Sequence, residues 1–480
     1  MKLKHIQIRN FKTFDHVDLS LENLNVLIGA NASGKSNLLD SFSFIKDCLE
    51  KGIETACLQR GDIDNILNKR NQAKTLSFRV TVDLERKNFN YFYHDKLLYF
   101  FRPNSFEYFF ELQRTIRTPK VYDESLNYFY TFYHIDPINF PQLKEDLEAL
   151  SQPIKRPLFR GSLLSEKYFR PRSYPPRIRN IINNIVEKIK GSPHLQKFDI
   201  ELSIISANKP STKILNEVDN SEVNRALNTW VKDISFDFYF EEHGKKGKEL
   251  LATELTARGM MTPWYFFSKI AFYDIDPKLI KESAPISFSK ELTSRGENLA
   301  PLIKYIYTKD KNLLKEIYSV LSTFIPFFEK FIVGFTDEKK FILKLKESGI
   351  KKAFPAYLMS DGTANITAIL VALLYNEDKH FICIEEPEKD IHPLILSQLI
   401  EVFRDLSEDK QIMITTHSPD LVKNLHPAEI MFIDRNKEGH TRVMRASNNK
   451  DIDKYLENFS LDELWLSGYI TKESTVNNED

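Results

Sequence analysis

Residues 24–37 read LNVLIGANASGKSN, an apolar strand that runs into the pattern G-x-x-x-x-G-K-S from Gly29 to Ser36 and then into the helical stretch NLLDSFSFIKDCLE. Those residue types at that spacing bind phosphate. Gly29 and Gly34 let the backbone through Ala30, Asn31, Ala32 and Ser33 curl so that successive N–H groups point inward at a β-phosphate. The start of the helix, at Ser36 and Asn37, adds positive potential; Lys35 reaches the β/γ oxygens, and Ser36 offers a hydroxyl to Mg²⁺. The loop therefore predicts ATP and Mg²⁺ as cofactors.

A second stretch, FICIEEPEKDIHP at 381–393, ends an apolar strand on two adjacent carboxylates. A carboxylate there is costly to desolvate and needs a cation, a donor or a catalytic duty. Glu385 is assigned to the metal through water, and Glu386 to orienting and deprotonating the attacking water. The plainer alternative makes Glu386 and Glu388 acids in the first turn of the helix that PLILSQLIEVFRDL continues. In QIMITTHSPDLV, at 411–422, a third apolar strand ends in Thr415, Thr416 and His417, where a histidine can report on a γ-phosphate. LMSDGTANITAILVALL, at 358–374, puts Ser360, Asp361, Gly362 and Thr363 ahead of an apolar helix. That is either an N-capped core helix or a second anion cradle. One subunit needs one cradle, so a second points to the nucleotide of a neighbour.

The elements that must position these residues call for an α/β fold. Lys+Arg and Asp+Glu balance at 67 each in 480 residues, which excludes a basic nucleic-acid wrapper and an acidic solvating chain, so any such contact must come from a local patch. Cys48, Cys57 and Cys383 lack metal-ligand spacing and fit a reducing cytoplasm. No run nears the roughly 18 apolar residues of a spanning helix, so no membrane association is expected. Residues 76–112 are aromatic and alternating, as in an antiparallel meander, where cross-strand packing competes with base stacking as the use of the rings. Residues 151–182 carry eight Lys/Arg against one acid, Glu166. They read either as a solvated loop or as a surface for nucleic acid or an acidic protein.

With these motifs in order, the chain resembles the ABC-type ATPases of the RecF/SMC-like and OLD-like group, over roughly residues 1–100 and 340–470. GANASGKSN matches the group's Walker A, SDGT its signature, EEPEKDIHP its Walker B and D-loop region, and TTHSPDLV its switch histidine. IQIRNFKTF is similar to the group's opening strand, which would put Arg9, Asn10 and Phe11 near the base and ribose. FSLDELWLSGYI is similar to its common ending. The chain departs from the pattern at Lys389 and Asp390, where many relatives carry Asn and Gly, and at Ala364 and Asn365, where Leu-Arg is common. Gln59 is only a candidate for the Q-loop glutamine.

The resemblance implies a P-loop ATPase head with a mixed sheet and an antiparallel β subdomain. Its halves would lie at 1–115 and 341–480, around a helical or irregular insertion at 116–340. Prolines such as Pro137, Pro141, Pro153 and Pro157 exclude a long coiled coil there. The resemblance further implies heads that pair around ATP and an ATPase that controls a separate effector. About 60 residues follow TTHSP, short for a nuclease domain, so the expected effector is a separate nuclease in anti-phage defence, as in Septu- or PARIS-type systems. The alternative is a RecF-like ATPase acting directly on DNA in repair. A transporter subunit fits less well, given the long insertion.

Overall fold

The structure, a computed structural model, describes residues 1–85, 90–94, 97–115, 119–135, 196–205, 211–214, 263–287, 290–376 and 378–468, together with Leu143, Ile185 and Lys188. The basic stretch at 151–182 lies outside the described residues. The chain divides into two compact units, one of residues 1–20 and 44–268 and one of residues 21–43 and 269–480.

The first unit is built on an antiparallel sheet. Its strands are β1 (Lys2–Phe11), β2 (Phe14–Ser20), β4 (Thr75–Asp83), β5 (Asn90–His94), β6 (Leu97–Gln113), β7 (Lys120–Ile135), β8 (Gln196–Ile205) and β9 (Ser211–Ile214). They run in the order β2-β1-β4-β6-β7-β8-β9, with β5 paired to β6. β4 shows why: TLSFRVTVD alternates buried and half-buried positions without a break, the period of a strand with one face on a core. On that face Phe11, Phe44, Phe78 and Phe110 pack with ring centroids 5.3–5.9 Å apart. The aromatic run thus serves cross-strand packing where its rings are described.

The second unit holds a six-stranded sheet in the order β10-β14-β15-β3-β16-β17. Its strands are β3 (Leu24–Ile28), β10 (Ile270–Tyr273), β14 (Phe381–Glu385), β15 (Gln411–Thr416), β16 (Ile430–Arg435) and β17 (Thr441–Arg445). Neighbours from β10 to β16 are parallel, and β17 is antiparallel. All of β3 and β15 is buried, as parallel strands covered on both faces must be. Among the described residues, helices α1 (Lys35–Lys51), α2 (Leu299–Lys309), α3 (Lys311–Phe324), α4 (Asp361–Tyr375) and α5 (Leu396–Ser407) are the longest, and the boundary between the units falls within α1. α4 is apolar nearly all round, and every position from Ala364 to Leu373 is buried. A small antiparallel sheet of β11 (Phe328–Phe335), β12 (Phe341–Glu347) and β13 (Phe354–Pro355) completes the unit.

The elements do not divide at 115 and 340. The antiparallel sheet continues past residue 115 through β7, β8 and β9, and β10, inside the expected insertion, is a strand of the parallel sheet. The longest helix fully described between 116 and 340 is α3, of 14 residues. No described helix is long and apolar enough to cross a membrane.

Candidate active site

The loop from Gly29 to Gly34 leaves the carboxyl end of β3 and enters α1. It is tight enough to require its glycines. A Cβ on Gly29 would lie 2.1 Å from the Ile433 carbonyl oxygen, and one on Gly34, at φ +123°, would lie 2.6 Å from Thr441 Oγ1. Ala32 also adopts a left-handed φ of +60°. Thr441 fixes the loop from outside, its hydroxyl donating to the Ser33 carbonyl at 2.8 Å. Lys35, only 7% exposed, folds back so that Nζ donates to the carbonyls of Gly29 at 2.7 Å and Ala30 at 3.0 Å. Burial pushes its ammonium below the ordinary value, and Glu386 and Glu385 pull it back up.

The Ser36 hydroxyl donates to Glu385 Oε2 at 3.2 Å, joining residues 349 positions apart. This follows from strand order, since β15 separates β3 from β14 and all three run parallel. Burial raises the Glu385 pKa; the Ser36 hydroxyl opposes that, and Asp274 and Glu386 add to it. Glu386 turns out of the strand at φ +43°, with its N–H donating to the Thr415 carbonyl at 3.0 Å. His417 Nε2 lies 3.8 Å from Glu386 Oε1. Burial, and then the Lys35 charge, lower the histidine's pKa against the pull of Glu386. The alternative of helix-start acids is not what the chain does. α5 begins at Leu396 after a 3₁₀ turn at Pro393–Ile395, well beyond Glu386 and Glu388.

Ser360 is the N-cap of α4 and accepts from the Thr363 N–H at 3.0 Å. Gly362 is packed against the turn that follows Glu386: a Cβ there would lie 2.3 Å from the Asp390 carbonyl oxygen. Asn365 Nδ2 donates to the carbonyls of Lys389 at 2.6 Å and Pro387 at 3.2 Å. The departures from the common pattern therefore touch one another. Asn365 ties down a turn in which Asp390 takes the φ of +61° that glycine adopts freely.

A family profile described as an AAA ATPase domain matches residues 1–422. The chain belongs to this family. Among curated proteins, this AAA ATPase is 33% identical over 84 residues to endonuclease GajA of Bacillus cereus (strain VD045), which is 18% of this chain and 13% of GajA. It is 41% identical over 46 residues to the DNA replication and repair protein RecF of Lactococcus lactis subsp. cremoris (strain MG1363), 9% of this chain and 13% of RecF. Each match therefore spans a small part of the relative. A solved Smc head domain with an extended coiled coil, bound to the C-terminal domain of ScpA and derived from Pyrococcus furiosus, aligns over 95% of this chain and 99% of that one, at 11% identity and a TM-score of 0.43.

Of the opening-strand residues of this AAA ATPase, Arg9 and Asn10 line a cavity of about 290 Å³ with Gln7, Ser77, Arg79 and Glu111. Asn10, at φ +56°, accepts from Asn71 at 2.8 Å. Phe11 is fully buried against Phe44 and Phe78. Gln59 caps the short helix Ile53–Leu58 and accepts from Lys51 at 3.3 Å.

Two residues that sequence reasoning passed over also belong to the site. Asp274 follows β10, and the pairing of Tyr273 with Ile384 sets it level with Glu385. The signal was present in IAFYDID, an apolar run that ends on an acid. Thr441 carried no such signal, because it acts on backbone far away in sequence.

The site fits Mg²⁺–ATP. Glycine lets the loop pack where a Cβ at Gly29 would strike the Ile433 carbonyl and one at Gly34 would strike Thr441, and Ser33 Oγ is buried with no hydrogen-bond partner among the described residues. An orphaned hydroxyl inside a loop of backbone N–H groups suits an anion. Gly29–Ser36 would hold the phosphates, and Ser36 and Glu385 the metal.

Proposed function

We propose that this AAA ATPase domain binds Mg²⁺–ATP at Gly29–Ser36 and hydrolyses it, with Glu386 as general base. The observation that carries the reading is the meeting of Ser36 with Glu385 beside Lys35, Glu386 and His417. Bound Mg²⁺–ATP supplies the phosphoanhydride bond that water cleaves to ADP and phosphate. Lys35 Nζ exchanges its carbonyl partners for phosphate oxygens, and Glu386 takes a proton from the attacking water. His417, whose pKa burial and then Lys35 lower against the pull of Glu386, is available as a hydrogen-bonding partner beside that carboxylate. Phosphate release with Mg²⁺ tests this. The parent should turn over, and Lys35→Ala should lose both ATP binding and turnover; unchanged affinity in Lys35→Ala would remove the loop from the account.

The proposal extends to assembly: Ser360 and the start of α4 complete the site of a second copy. Gly362 is a poor probe of this, because any side chain there strikes Asp390 of its own chain. Ser360→Arg mixed with Lys35→Ala is the better pair, since a mixed dimer leaves one composite site intact and should regain part of the activity. The same variants failing to complement, with subunit exchange verified, would argue against a shared site. The proposed effector is a separate nuclease in anti-phage defence, and the alternative is direct action on DNA in repair; the similarity to an endonuclease supports a nuclease-linked role, and that to a DNA replication and repair protein supports the alternative. Purification from the native host separates them by what travels with the ATPase, a nuclease or DNA alone.

A further inference from the structure

Glu388 has no part in the loop or in the pair of acids that precede it, yet it is bound to the far end of the site. Its Oε1 accepts from Thr416 Oγ1 at 2.5 Å and from the His417 backbone N–H at 3.2 Å. Its Oε2 is buried with no hydrogen-bond partner among the described residues. An exposed turn acid would be solvated on both oxygens. Here burial raises the carboxyl pKa; the Thr416 hydroxyl and the local N–H groups lower it, and the neighbouring Glu386 raises it again. Such a placement costs stability and calls for a reason.

The geometry supplies one. Glu386 N–H donates back to the Thr415 carbonyl at 3.0 Å, while Thr416 and His417 donate forward to Glu388. Two links in opposite directions therefore frame the step from β15 into the turn, and Glu386 and His417 face each other across that frame at 3.8 Å. We propose that Glu388 is a positioning residue for ATP hydrolysis, fixing the main chain at Thr416–His417 so that the His417 imidazole stands beside Glu386. This rests on the hydrolytic reading above. On this reading Glu388 acts through His417, so its effect should vanish where the imidazole is absent.

A double-mutant cycle on ATP turnover tests the coupling. Glu388→Ala should lower kcat about tenfold or more and leave KM for ATP within about twofold, since what is lost is placement of a reacting group. In a His417→Ala background the same change should cost less than about twofold. Glu388→Gln, which keeps an acceptor oxygen for both donors, should retain most of kcat. Additive losses in the double variant, or a rise in KM with unchanged kcat, would overturn the proposal. If Glu388→Ala does not fold, Thr416→Val removes one of the two donors and is read in the same cycle. A parent that binds ATP without turning it over overturns this proposal and the hydrolytic reading together, whereas normal parent turnover with additive variants overturns this proposal alone.

Discussion

At the start of α1 the backbone bends through Ala32 and Gly34 at positive φ, the Lys35 ammonium rests on two carbonyls, and Ser33 Oγ is buried without a described partner. At the start of α4 the Ser360 hydroxyl accepts from the Thr363 N–H and meets Thr363 Oγ1 at 2.8 Å. Both are helix N-termini with positive potential. The first leaves polar groups that a ligand must complete; the second satisfies its cap by itself. A loop of the first kind can bind phosphate within one chain. A cap of the second kind is stable before any ligand arrives, which suits a surface that engages a nucleotide only on assembly.

The comparison breaks most completely at Gly34. Gly34→Val adds a branched side chain at φ +123° against Thr441, so measurable ATP binding should be lost in an equilibrium titration, while Gly52→Ala, with nothing within 4 Å of the added Cβ, serves as the control at another positive φ. Gly29→Ala and Gly362→Ala come next. Each drives a Cβ to within about 2.1–2.3 Å of a carbonyl oxygen, and each should lower unfolding stability by about 1–3 kcal/mol in denaturant melts. ATP affinity should fall only for Gly29→Ala, because Gly362 packs on the turn at Asp390 and not on the loop.

The smallest effects sharpen the cap. Ser360→Ala removes the acceptor for Thr363 N–H and should cost about 1 kcal/mol of stability, with ATP binding by isolated subunits unchanged. Glu388 adds a pH signature. Its raised pKa means that the folded protein pays to ionise it, so this contribution to stability is present below the ordinary glutamate range and is lost as pH rises through the raised value. Glu388→Gln removes that ionisation, so relative to the parent it should gain stability toward neutral pH and lose that gain below about pH 4.5.

The geometry of the candidate site was legible where its demands are local. Eight consecutive residues, Gly29 to Ser36, both require and announce a backbone that curls around phosphate. Glu385 was legible because a strand buried on both faces shows as an unbroken apolar run, and an acid at its end stands out. The limits were hidden for the opposite reason. β10 is four residues long and pairs with β14 more than a hundred residues later, so its membership in the parallel sheet is a tertiary fact. The continuation of the antiparallel sheet through β8 and β9 is equally non-local. The burial of the Phe11 ring is likewise non-local, set by the left-handed turn at Asn10 and the packing of Phe44 and Phe78.

The central claim is that Glu386, turned out of the sheet beside His417, removes the proton of the attacking water. Measuring ATP affinity and steady-state phosphate release side by side for the parent and Glu386→Gln addresses it most directly. The account predicts affinity within a few-fold of the parent, turnover lower by about 100-fold or more, and an ATP-bound form that accumulates. Turnover by Glu386→Gln at the parent's rate would contradict it and leave Glu386 as an acid of the turn alone.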